Sequence, residues 1–555
     1  MTRTSGPDSA IKTAKVAIFS VDPPGFTTFH SFDPDSFTVI SAVNDALIYI
    51  DNDGDVRPAL ATAWRRVSPT EMEFSLRQGV AFHNGEVFDA DSVVATFHAH
   101  KHPVPSAGGR GVLGPVVCAI KVDDYTVRIR TAFPDAMLLR RLFFSSIYPK
   151  SILERDGRDA LAHHPIGTGP YRFHRYDPGR EIVLVRNADH WSGMSTVDRL
   201  RLPILRQKEW VDRLSRGEID MALGIDCHDR VRATRIAGLV TASRPAAISQ
   251  WFLLKNAGPL ADVRVRRALN HAINRSLLVD VTTHGFGAPQ RAVATEGQEG
   301  YTEVEAYRYS PELTRRLLEE AGHGSGFTLR GIVSETSTPV YFMVKEFLSR
   351  VGVGLEAEIV PRGEWLRRIV GGHLSGKPYT GDFALAAIDN PILHTLFHHF
   401  IFLSSHGPFS LLHDEEYDRA FMAVAAAADD AGTPERLAQL ERYVRDQALV
   451  LFTVKEHVHA AFREGFSCTM PASGHFQVAS LLTIRASDRP MPASTLPPTA
   501  VESQDHATLL DATSHTGTFF LKPGEVLKEP ILQRVWDNIR TSELRWRLEG
   551  EPMMR

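Results

Sequence analysis

The chain has 555 residues, of which 43% are hydrophobic and 23% charged, with a formal net charge of -4. This is the composition of a folded protein with material for several cores, about three or four units at ~150 residues each. So small a net charge excludes a broad electrostatic drive towards nucleic acid, and none is expected as a partner.

Three cysteines, Cys118, Cys227 and Cys468, are far apart and odd in number. They offer neither a disulfide framework nor a recognisable metal-ligand spacing. No stretch approaches the ~18 apolar residues of a membrane-crossing helix. Met1 to Lys15 lacks the basic start and apolar run of a secretory signal. As written, the sequence is expected in the cytoplasm, and in the periplasm or outside the cell only if an export signal is missing from it.

Residues 1–13 are polar and expected to be loose. Lys15 to Ser20 has strand character, turns follow, and Val39 to Leu47 repeats apolar residues at helical spacing before Ile48-Tyr49-Ile50 and the turn Asp51-Asn52-Asp53-Gly54. Met72 to Arg77 alternates apolar and polar residues as a half-buried strand does. Asp89 suits the N-cap of the next helix, with Asp91 in its first turn. Val127 to Arg130 gives another strand and Ala136 to Phe144 a short helix.

The stretch His164-Pro165-Ile166-Gly167-Thr168-Gly169-Pro170-Tyr171-Arg172-Phe173 is a corner leading into a strand: glycines where backbone room is needed, a proline that fixes φ, then Tyr171 and Phe173 on one face. Strands follow at Ile182–Val185 and Leu200–Leu205, and a helix at Trp210–Leu214. Ser249 to Asn256 is a strand, and Asp262 caps a helix whose apolar stripe includes Val265, Ala268, Leu269 and Ala272. A helix from Pro311 ends at Gly322, and strands at Gly326–Val333 and Val353–Val360 enclose a further helix, an α/β alternation. Two long helical patterns, Asp414–Ala428 and Pro434–Leu449, come next. Residues 486–505 are rich in Pro, Ser and Thr, as linkers are. Pro530 to Ile539 has amphipathic helical spacing, suited either to clasping the folded body or to docking a partner.

Several segments carry a resemblance when taken in order. They are Pro58-Ala59-Leu60-Ala61, Glu73 to Gly85, Ile147-Tyr148-Pro149-Lys150, Gly167-Thr168-Gly169-Pro170-Tyr171, Val185 to Trp191 and Gly217 to Ala222. With them the chain, over about residues 16–480, resembles the family 5 extracellular solute-binding proteins, the dipeptide, oligopeptide and nickel receptors of ABC importers.

The resemblance implies an α/β, two-lobed fold of the type II periplasmic-binding-protein kind, closing by a hinge around a ligand. The expected division is a first lobe at 14–245 with an inserted subdomain at 46–165, a second lobe at 246–468, a return to the first lobe at 469–485, and a linker and C-terminal extension at 486–555. The implied function is binding of a peptide-like or other small amphipathic solute, with an ABC permease as partner. The missing export signal and the added tail also suit a cytoplasmic derivative, either a ligand-sensing regulator or an enzyme using the cleft.

The resemblance places Asp389, in Asp389-Asn390-Pro391, where peptide receptors pair an aspartate with the ligand's ammonium, with Asn390 beside it as a further ligand-binding residue; capping of the turn before Pro391 is the other reading for Asp389. The aromatic after that aspartate and the tryptophan before it are absent from this chain. Trp251 and Phe252, near the hinge, suit either pocket walls or core. His394 and His398 stand at i and i+4 and His399 beside them, which suits two metal-binding imidazoles or simply a polar helix face. Without a cysteine or acidic residue at ligand spacing no metal site is assigned. Nucleophile-elbow, P-loop and H-E-x-x-H patterns are absent, so neither catalytic residues nor a cofactor are assigned, and Glu456 and His457 fit wall positions better than an acid/base pair.

Overall fold

The computed structural model describes residues 12–18, 25–30, 34–101, 113–193, 197–427 and 433–476, with short strands at 483–484, 513–514 and 518–519. The first eleven residues, the linker at 486–505 and the helical pattern at 530–539 therefore lie outside the described residues.

The chain opens with β1 (Thr13–Ala17), then α1 (Pro34–Val43), which begins on a proline suited to a first helical position. The apolar spacing that predicts helix as far as Leu47 belongs instead to buried residues at the start of the hairpin β2 (Ile48–Ile50) and β3 (Val56–Pro58). The inserted subdomain is an antiparallel sheet in the order β4-β5-β7-β6, built from β4 (Ala61–Ser68), β5 (Glu71–Leu76), β6 (Val116–Asp123) and β7 (Thr126–Thr131). Helix α2 (Ala90–Lys101) covers it, and Asp89 Oδ1 accepts the Ser92 amide at 3.1 Å, the cap the sequence predicts.

Beyond the subdomain come β8 (Tyr171–Asp177), β9 (Glu181–Arg186), β10 (Arg199–Pro203), β11 (Met221–Ile225), α3 (Cys227–Ala233) and the 16-residue β12 (Leu239–Leu254). The second half supplies α4 (Val263–His271), α5 (Arg275–Thr283), β13 (Gly287–Pro289), β14 (Phe327–Ser334), α6 (Thr338–Ser349), β15 (Val353–Val360), β16 (Phe383–Asp389) and the 14-residue β17 (Val450–Arg463).

All of these strands join one sheet in the order β15-β14-β16-β12-β17-β11-β1-β10-β9-β8, with β13 beside β17. At one end β14 runs parallel to both β15 and β16, the arrangement that a strand-helix-strand crossover through α6 requires. At the other end β1 is parallel to β10 and β11. The long strands β12 and β17 are the shared middle, antiparallel from Leu239↔Arg463 to Leu253↔Val450, with register shifts at Pro245/Ile248 and Gln250/Trp251. β17 already pairs with first-lobe β11 through Ala222↔Ala461, so the chain is beside the first-lobe strands before residue 469.

Apolar clusters follow this layout. One, with Leu278, Val279, Leu329, Val353 and Phe383, fills the second lobe, and another, with Val39, Tyr171, Leu184, Leu200 and Phe462, fills the first. The largest runs from the subdomain's Phe74 and Val127 to Trp251, Ile392 and Phe402, so the subdomain and second lobe share a core.

The glycine corner is a point of close approach. A Cβ on Gly167 would lie 2.3 Å from the Val43 carbonyl oxygen, and one on Gly169 2.5 Å from the Val43 carbonyl carbon. Side-chain-free backbone is what lets Gly169 N–H reach Val43 O at 2.9 Å. Between the glycines, Thr168 Oγ1 donates to Asp45 Oδ2 at 2.9 Å, and Trp191 Nε1 donates to the same oxygen at 2.9 Å. Burial favours the neutral acid at Asp45, but the bonds from His190, Trp191 and Thr168 outweigh it and hold the carboxyl below its usual range. Two sequence segments that carry the family resemblance thus meet on one partly buried carboxylate just after the end of α1.

Candidate ligand-binding site

β16 has the near-continuous apolar character of a strand covered on both faces, and it ends at Asp389, followed by Asn390 and Pro391. There it lies against β12, with Ile248 opposite Asp389. The returning segment crosses the same point: Ala247 N–H donates to Ala472 O at 2.8 Å, and Ala472 N–H to Asn52 O at 3.0 Å. First-lobe turn, long strand, second-lobe strand and returning chain therefore converge around one carboxylate.

His475, delivered by that return, bonds Asp389 Oδ2 through Nε2; the side chains are 5% and 27% exposed. Burial by itself raises the Asp389 carboxyl, but the charges of His475 and Arg362 and the His475 bond outweigh it, leaving it well below the usual carboxylate range. The Phe37 ring, from α1, meets the His475 ring edge-on at 6.3 Å. On the other side His398 Nε2 donates to the Asp389 carbonyl at 2.9 Å. Asp389 is thus an ionised, partly buried group at the junction of the lobes, and its hydrogen-bond partner is a residue of the chain itself.

The other residues singled out by sequence occupy different settings. Asn390 is fully buried: its amide donates to Gln298 Oε1 at 3.1 Å and His394 O at 2.9 Å, while its Oδ1 has no partner. Trp251 and Phe252 are 0% and 1% exposed and, as neighbours on a strand, face opposite ways. Trp251 packs against His398, Phe402 and Phe452, with its indole N–H unpartnered. Phe252 packs against Phe383 in the second-lobe core. β16 and β17 flank the edges of β12, and its two faces are covered by different cores, the largest cluster over Trp251 and the second-lobe cluster over Phe252.

The histidine group has dispersed duties. His394 Nδ1 accepts the Leu396 amide at 3.1 Å as a helix cap, His398 serves Asp389, and His399 lies 2.8 Å from the Tyr417 hydroxyl and 3.2 Å from Glu441 Oε1. Each imidazole has its own partner, and the three do not converge. Glu456 accepts from Gln250 Nε2 at 2.6 Å and is pushed up by burial, whereas His457 is lowered to about 4 by burial with Arg230 and Lys455 nearby.

Sequence reasoning missed His475, the partner of Asp389. The one signal available was its position in the segment that returns to the first lobe. It also took Cys227 as isolated, whereas folding brings His284 to it.

A single sheet shared by two α/β lobes through β12 and β17 is the architecture of the type II periplasmic binding proteins. The profile of the bacterial extracellular solute-binding proteins, family 5 (middle), matches residues 55–377, and the chain belongs to that family. Among relatives, the Di/tripeptide-binding protein 2 of Pseudomonas aeruginosa (strain UCBPP-PA14) is 28% identical over 410 residues, covering 68% of this chain and 76% of that one. The glutathione-binding protein GsiB of Salmonella typhimurium (strain LT2) is 25% identical over 378 residues, covering 66% and 73%. In structure the chain is similar to the periplasmic binding protein DppA of Helicobacter pylori in complex with the peptide STSA, with a TM-score of 0.74, 20% identity, and coverage of 85% of this chain and 98% of that one.

Proposed function

We propose that this protein captures a short peptide or similar small amphipathic solute between its lobes, anchors the solute's ammonium at Asp389, and delivers it to an ABC-type permease. The observation that carries the reading is the ionised Asp389 carboxylate where both lobes and the returning chain meet. A ligand ammonium brought there finds a charged acceptor whose desolvation is already met by the fold. The relatives that bind di- and tripeptides or glutathione, and the neighbour holding STSA, support a peptide-like ligand. The ligand ammonium then shares Oδ2 with His475 or displaces it.

Calorimetric titration with a panel of di- to tetrapeptides tests this, each peptide paired with its N-acetylated form. Acetylation and Asp389→Asn are each expected to weaken binding by about 100-fold, near 2.8 kcal/mol, within the range for truncating one partner of a buried charge pair. Equal affinity for free and acetylated peptides would rule out the anchoring role.

A further inference from the structure

Away from Asp389, the first-lobe helix α3 and the second-lobe helix α5 bring three metal-ligating side chains together. Cys227 is the first residue of α3 and His228 the second; His284 follows the last residue of α5. Their ligating atoms all lie within 4.8 Å of one another, the only such group of three found among the described residues. His284 Nε2 is 2.5 Å from His228 Nδ1, with ring centroids 4.3 Å apart. The Cys227 thiol donates to the Thr282 carbonyl at 3.6 Å, a weak bond.

The backbone supports convergence. His284 is one of three non-glycine residues with positive φ among the described residues, at 50°, and this left-handed turn ends α5 with the imidazole directed to α3. Gly285, at φ +77°, continues the turn. The two helices rest on separate cores: Ala233 of α3 packs with Trp210 and Val211, and Leu278 and Val279 of α5 pack with Val340 and Val353. A ligand held by all three side chains therefore spans the lobes.

We propose that Cys227, His228 and His284 form a three-ligand site for a divalent transition metal of the zinc and cobalt class, tying α3 to α5 beside the strands that connect the lobes. One thiolate and two imidazoles are the donor set such ions take, whereas calcium and magnesium require oxygen ligands. Metal–nitrogen bonds of about 2.1 Å in a tetrahedron set the two nitrogens about 3.4 Å apart, so binding needs the rings to separate by about 1 Å. The thiol proton leaves to bulk solvent as the metal–sulfur bond forms, and a fourth position stays open to water. The site is distinct from Asp389 and does not depend on what the cleft binds.

The test is titration of the reduced, full-length protein with Co2+, followed by displacement with Zn2+. Wild type is expected to bind one equivalent with a thiolate-to-cobalt charge-transfer band and tetrahedral visible bands. Cys227→Ser should abolish the charge-transfer band. His284→Asn, which keeps a residue suited to the left-handed turn, should weaken binding by about 100-fold or more, beyond the range for losing a supporting group alone. Far-ultraviolet circular dichroism verifies that both variants fold. A wild type without the band, or a band that persists in folded Cys227→Ser, would overturn the assignment.

Discussion

Replacing Gly167 by alanine tests the corner on which the first lobe turns. The added Cβ would sit 2.3 Å from Val43 O, 2.4 Å from Asn44 Oδ1 and 2.8 Å from Asn44 Cα, so two of three obstacles are backbone at the end of α1. Ordinary carbon–oxygen contact needs roughly 3.5 Å, and the corner must back away by about 1 Å. That movement stretches His83 N–H to Gly167 O at 2.8 Å, Gly169 N–H to Val43 O at 2.9 Å, and Thr168 to Asp45 at 2.9 Å. Overpacking of this kind costs about 1–3 kcal/mol, and each weakened bond about 0.5–1.5 kcal/mol. With three bonds affected, the expected loss is therefore about 2.5–7.5 kcal/mol. Gly363→Ala is the control, because its Cβ meets nothing within 4 Å and its φ is ordinary; lying in a short helix, it should equal wild type or gain up to about 1 kcal/mol. Urea unfolding followed by circular dichroism measures both. If Gly167→Ala falls within 1 kcal/mol of Gly363→Ala, the close approach does not constrain the fold as argued.

Two further substitutions address buried polar groups. Burial lowers His394 from 6.5 to about 4, and its Nδ1 must stay unprotonated to cap Leu396. The unfolded chain thus takes the extra proton first: stability is full above pH 6.5 and falls as the pH drops towards 4, by about 3 kcal/mol from this residue. His394→Asn keeps a capping acceptor and should remove that share of the acid slope when unfolding is compared at pH 7 and pH 4; an unchanged slope refutes it. Asp135 and Arg141 form a pair at 2.8 Å with both side chains 3% exposed. Asp135→Ala should cost about 3–5 kcal/mol by calorimetry, because it strips the carboxylate from a buried guanidinium, and a loss below 1 kcal/mol would contradict this.

Local features were legible in sequence. Alternation located β5 and β7, capping aspartates located the starts of α2 and α4, and the β14-α6-β15 crossover followed from strand-helix-strand order. What escaped was non-local. Only residues 249–256 read as strand, yet β12 begins at Leu239; Pro245 breaks the local pattern and is accommodated at a register shift opposite β17. Asp389 could be singled out by its place in the family pattern, but His475 lies 86 residues away and no spacing rule links them. Likewise His228 and His284 are 56 residues apart and meet only because α3 and α5 flank the same strands.

The pairing of β12 with β17 also governs how the molecule can deform. Two adjacent strands, each belonging to both halves, are fastened to one another along nearly their whole length, like the leaves of a spring. Sliding one past the other by a residue would turn every side chain to the wrong face, so shear is blocked. Flexing across the sheet leaves the register intact, and the bulge at Pro245/Ile248 is where the ladder is already interrupted. Bending across these strands therefore lets the two halves open and close without changing their register, whereas sliding would not.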